Sequence, residues 1–193
     1  MGEDNGAVTF EFTVPPENIK KILDSGERRE FPSGAVRDIQ EGKGRCDLLP
    51  IDTVAELLDY ADEPSEMRGM RVLDYLDMFT ASETGDMSFR HFLYEALMRF
   101  ADENGWDVPT MLLEVSKHFE EGAKKYGEKN WTLGINLHCY IDSAIRHYLK
   151  WCRGDNDEPH DRAFCWNLLC CAWTLAHRPE CNDLWGEDNR TRR

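Results

Sequence analysis

Apolar side chains along most of the chain recur every three or four residues, the spacing that lines up one face of a helix. Residues 51–61 place Val54, Leu57, Leu58 and Ala61 on one side. A helix is also predicted over about 68–79, followed by loop at 80–86. Phe89, Phe92, Leu93, Ala96, Leu97 and Phe100 form a clean stripe over 88–103. Gly105 interrupts, Pro109 permits a new start, and Leu112, Val115, Phe119, Ala123 and Tyr126 mark the inner face over 111–126. Leu137, Tyr140, Ile141, Ala144, Ile145, Tyr148, Leu149 and Cys152 do the same over 137–152. The last helix fits Pro159 in its first turn, runs to about residue 176 and is apolar nearly all round, which predicts burial on every side. Only the start departs from this period. Residues 9–14 alternate as a short strand or extended arm, 17–23 suit a helical turn, and 24–50 are rich in glycine, charge and turn residues. The tail from Arg178 is charged and expected to fray. The pattern predicts an all-α fold in one domain over 1–193: an arm and basic loop at 1–50, a helical insertion at 55–110, and core helices at 111–176.

The chain has 193 residues, and 23 Lys and Arg against 37 Asp and Glu leave a net charge of −14. That field repels phosphate backbones, so polymeric nucleic acid is not an expected partner, whereas a small polyanion can still bind through a local basic pocket or a divalent cation. With 41% hydrophobic and 11% aromatic residues the chain is a folding sequence rather than a disordered one. It has no apolar run long enough to cross a membrane and no secretory leader, so a cytoplasmic location is expected. The seven cysteines form no CxxC pair, and Cys165, Cys170 and Cys171 fall in an apolar helical run, where thiols act as small hydrophobes.

Four polar groupings are candidates for chemistry. Glu114, His118, Glu121 and Lys125 share one strip of the 111–126 helix; they read either as a solvated face or, for His118 and Glu121, as paired metal ligands. Asp142, Arg146 and Lys150, with His147 beside them, read as an i,i+4 ion pair or a functional strip. His160, Asn167 and Thr174 recur every seven residues on the last helix. An amide as buried as Asn167 needs a partner, either on another helix or in a polar site, because leaving it unpaired costs about 1–3 kcal/mol. Lys43 and Arg45, on the Gly42-Lys43-Gly44-Arg45 loop, read as an anion clamp or a solvated turn. Lys124, Lys125, Lys129 and Asn130-Trp131 add charge beside an aromatic face.

Several blocks together resemble the phage dATP/dGTP diphosphohydrolases of the MazZ type. They are Ser33–Asp38 with Glu41–Pro50, His118–Gly127 with Asn130-Trp131, Tyr140–His147, and His160 through Trp166-Asn167-Leu168-Leu169. That family is similar to the all-α MazG-type nucleoside triphosphate pyrophosphohydrolases, so the resemblance implies a MazG-like helical bundle. It implies hydrolysis of dGTP, and also dATP, to the monophosphate and pyrophosphate, with dGMP feeding 2-aminoadenine nucleotide synthesis in a phage. It implies Mg²⁺, with Mn²⁺ as a substitute, and assembly into a dimer or tetramer. Mapped residue by residue, it makes His118, Glu121, Asp142, His160 and Asn167 the metal set. His118, Glu121 and Asp142 become catalytic, and Lys43, Arg45, Lys125, Asn130, Trp131, Arg146 and His147 contact substrate. Phe164 stands where the second metal motif of MazG-type enzymes has Glu. Two other readings remain open: an HD-type phosphohydrolase built on His160-Asp161 with His118 or His147 upstream and Asp183 downstream, and a non-enzymatic helical module whose acidic surface binds a protein partner.

Overall fold

The structure, a computed structural model, describes residues 26–63, 65, 67, 69–81 and 89–184. The arm expected at 9–14, the turn at 17–23, most of the 80–86 loop and the expected helix start at 88 lie outside these residues. Two compact units divide at Gln40 and Glu41. In the first, β1 (Arg28–Glu30) pairs antiparallel with β2 (Val36–Asp38), Arg28 opposite Asp38. The turn between them closes by a Phe31 N–H donated to Ala35 at 2.9 Å. Sequence patterning predicts only loop here, because both strands are three residues long and almost wholly exposed, with no buried face to alternate.

The second unit is helical, as expected: α1 (Ile51–Asp62), α2 (Val72–Ala81), α3 (Arg90–Glu103), α4 (Val108–Tyr126), α5 (Leu137–Arg153) and α6 (His160–His177). Short 3-10 turns cover Cys46–Leu48, Asn130–Leu133 and Pro179–Cys181. α4 begins three residues before the predicted start because Asp107 caps it, its carboxylate accepting the Thr110 N–H at 2.8 Å. α6 is the central element. Twelve of its 18 residues are buried, and it packs against α1, α3, α4 and α5. Phe164 meets Phe100 of α3 at 4.4 Å between ring centroids and Tyr148 of α5 at 5.7 Å, so the position that lacks an acid is filled by aromatic core.

Four predicted core positions are exposed: Leu58, which follows the buried Leu57 by one residue, Tyr126, Leu149 and Cys152. Tyr126 and Cys152 sit in the final turns of their helices. Leu149 follows Tyr148 by one residue and so turns about 100° away from the stripe. The tail is ordered as far as it is described: Arg178 donates to the Thr132 carbonyl at 2.9 Å, and Asp183 accepts the His138 N–H at 3.1 Å.

The Gly42-Lys43-Gly44-Arg45 loop is fastened to α4. Glu120 is only 7% exposed, and its two carboxylate oxygens accept the N–H groups of Gly42 and Gly44, each at 3.0 Å. Arg45 N–H donates to the Ser116 carbonyl at 2.9 Å. Gly44 has φ +87°, and a Cβ there would lie 2.0 Å from Ser116 Oγ. Gly44→Ala is therefore expected to cost about 2 kcal/mol or more, from strain and overlap together. Gly42→Ala, at φ +78° but in open space, should cost only about 1 kcal/mol. Glu120→Gln, which turns an amide donor toward a donor, should cost about 1–3 kcal/mol. Denaturant midpoints check the ranking, and equal midpoints for the two glycine variants would contradict it.

Candidate active site

A cavity of about 390 Å³ opens between the second half of α4, the α4–α5 connection, α5 and α6. α4 contributes His118, Phe119, Gly122, Ala123 and Tyr126; α5 contributes Ser143 and His147; α6 contributes Trp166 and Asn167. The connection, which turns at Gly127 (φ +92°) and Lys129 (φ +55°), adds Lys129, Asn130 and Trp131. Gly122 leaves the floor open, since a Cβ there would meet nothing within 4 Å.

Aromatic rings form one wall. Trp166 packs beside His118 at 5.8 Å and Phe119 at 6.0 Å, and Trp131 meets Phe119 edge-on at 5.8 Å. Trp131 is buried, yet its indole Nε1–H has no hydrogen-bond partner. The His118 Nδ1 is likewise buried and without a hydrogen bond; the Glu121 carboxylate lies 4.0 Å away, beyond hydrogen-bond reach. Burial holds the His118 imidazole below its ordinary pKa, against the opposing charges of Glu121 and Glu158, and so keeps it neutral. Burial lowers His147 in the same way. Asn167 donates its amide to the Ala163 carbonyl of its own helix at 2.7 Å, which leaves the amide oxygen as the side available to a ligand.

Of the residues expected at the site, His118, Asn130, Trp131, His147 and Asn167 line this one cavity. Glu121 flanks it, half exposed, between His118 and the Arg162 guanidinium at 3.9 Å. Lys125 stands over the Tyr126 ring at 4.8 Å, next to the rim. His160 is buried behind His147, its Nδ1 3.0 Å from the His147 Nδ1. Asp142 and Arg146 are not brought to the cavity. They form the i,i+4 pair that their spacing allows, at 2.7 Å, and line a separate shallow groove with Leu149 and Lys150. Arg45 is engaged by Asp47 at 2.7 Å and Glu128 at 2.8 Å, and those carboxylates raise its pKa further. Lys43 is exposed on its loop and is not among the lining residues. Asp183 pairs with His138 at the start of α5, where the HD reading needs it beside His160.

Sequence reading passes over Glu120 and Glu158, and it quotes Trp166 only as part of a motif, without a place in the site. A signal existed for Glu120: with Ser116 and Phe119 it falls on the buried stripe of α4, and an acid there needs donors brought to it.

A family model described as dATP/dGTP diphosphohydrolase, N-terminal, matches residues 85–184, just over half of the chain. The match takes in α3 to α6 and every lining residue of the cavity except Leu48; residues 33–50 fall outside it. No curated protein and no solved structure matches the chain.

Because partial burial holds the His118 and His147 imidazoles below their ordinary pKa, the folded state resists protonation that the unfolded chain accepts. Stability should hold above the ordinary imidazole pKa, decline as pH falls through it, and level off below the lowered folded-state values. Melting midpoints between about pH 8 and 5 test this. His118→Asn should flatten part of the slope, and a slope unchanged in that variant would refute the contribution.

Proposed function

The chain belongs to the dATP/dGTP diphosphohydrolase family, and we propose that it hydrolyses dGTP and dATP to the deoxynucleoside monophosphate and pyrophosphate in the cavity between α4, α5 and α6. The observation that carries this reading is the cavity itself. It has the volume of a small-molecule site, lies in the matched segment, and combines a flat aromatic wall with a neutral, unpartnered imidazole.

Each group has a task that its chemistry suits. Phe119, Trp131 and Trp166 give a purine a flat apolar surface, and Asn130, Ser143 and Asn167 offer hydrogen bonds to its edges. Lys129 and Lys125, on the rim side, meet the phosphates as they run outward. The neutral His118 takes a proton from water as the water oxygen attacks the α-phosphorus. A bond forms from that oxygen to phosphorus, the bond from phosphorus to the α,β-bridging oxygen breaks, and pyrophosphate leaves with the bridging oxygen.

The five residues implied as metal ligands do not fit a single Mg²⁺ sphere. Glu121 is the one carboxylate among them near the cavity, Asp142 is paired with Arg146 on the outer face, and Mg²⁺ demands an octahedron of oxygens. The oxygens of the triphosphate would supply the ligands that Mg²⁺ prefers.

Incubation with each deoxynucleoside triphosphate and Mg²⁺, followed by product chromatography, tests the reading. The expected products are dGMP or dAMP with pyrophosphate, and purines should be preferred. His118→Ala should lower kcat about 10²–10⁴-fold with an intact helical spectrum. Release of inorganic triphosphate, or no turnover of any nucleotide, would overturn the activity. Near-normal turnover in His118→Ala would overturn only the role of the imidazole.

A further inference from the structure

Where the second half of α5 meets the start of α6, three donor atoms converge. His147 Nδ1 lies 3.0 Å from His160 Nδ1, and Glu158 Oε1 lies 3.5 Å from the second and 3.7 Å from the first. Donor atoms bound at ordinary lengths around a tetrahedral ion are about 3.3–3.6 Å apart, so the triangle has the dimensions of one coordination face. The other nitrogen of His160, Nε2, faces Asp157 Oδ1 at 2.8 Å. With Nε2–H donating a hydrogen bond to that carboxylate, His160 presents an Nδ1 lone pair to the triangle. A carboxylate behind a histidine is how metal-binding imidazoles are held in one tautomer. Lys150 in turn holds Asp157 at 2.9 Å and stands 3.8 Å from Glu158.

We propose that His147, Glu158 and His160 form a binding site for a divalent transition-metal ion of the zinc and cobalt class, with Asp157 as the outer carboxylate that orients His160. Two imidazole nitrogens and one carboxylate suit such ions and not Mg²⁺, which takes oxygen. His160 is almost wholly enclosed, at 1% side-chain exposure, while Glu158 at 46% leaves the triangle open on one side. Three protein ligands leave further coordination positions for water or a ligand oxygen. Because His147 also lines the cavity, the ion would sit at its wall. These donors would hold an ion whether or not the cavity turns over nucleotides.

The test is titration of the chelator-treated full chain with Co²⁺, followed by visible absorption and by melting temperature. One equivalent should bind with a d–d band, raise the melting temperature and be displaced by Zn²⁺. His147→Ala and Glu158→Gln should weaken binding about tenfold or more, and Asp157→Asn should weaken it less, each with an unchanged helical spectrum. Buried His160 is avoided as the deciding variant because its removal can unfold the corner; exposed Glu158 carries the test. Asp142→Ala, in the other groove, should bind Co²⁺ as the parent does. Failure to bind Co²⁺ or Zn²⁺ would overturn the site. So would binding unchanged in both His147→Ala and Glu158→Gln, or a near-ultraviolet thiolate band placing the ion on cysteine.

Discussion

The burial of α6 is the constraint on which the rest depends. A helix buried over most of its surface leaves its enclosed polar side chains little water, which favours a partner or a place on a cavity wall. Asn167 and His160 solve this differently. Asn167 satisfies its amide protons on its own helix and presents the remaining oxygen to the cavity wall. His160 is held between Asp157 and His147. The neighbouring apolar positions force α3, α4 and α5 around α6, and the cavity is the gap left where α4 carries a glycine at position 122 and the α4–α5 connection turns back over the helices.

Electrostatics in this acidic chain are settled mostly by local pairing. Arg45 holds Asp47 and Glu128, Arg162 holds Glu114 at 2.8 Å, and Lys124 bridges Glu41 at 2.9 Å and Glu120 at 3.2 Å. Exposed pairs of this kind contribute little to stability one by one. They matter here because they commit cations that a phosphate would otherwise meet. Of the lysines, Lys129 of the connection lines the cavity, and Lys43 of the Gly-Lys-Gly loop does not.

The helices were legible because their apolar stripes are long and periodic, and α1 and α4 to α6 end within about a residue of where the pattern stops. The family was legible from blocks in α4, α5 and α6, and residues 85–184 match the same family. Sharing a helix is not sharing a site, which is why Asp142 could be placed on α5 but not on the correct side: His147 and Ser143 turn inward and Asp142 turns out. The hairpin at 28–38 has no buried face to betray it. Glu120 sat beside Glu121 in the sequence, and only periodicity separates the buried acid from the exposed one. Glu158 could not be read at all, since its meeting with His147 depends on the angle at which α5 hands the chain to α6.

The clasp between Glu120 and the two glycines also changes what the loop is dynamically. Backbone amides in exposed, glycine-rich turns normally exchange their hydrogens with solvent quickly. Here the amides of Gly42 and Gly44 are bonded to a buried carboxylate, so solvent reaches them only when the loop lifts from α4 as a piece. A stretch that reads as the most permissive backbone in the chain is thereby made to keep time with the helix it rests on.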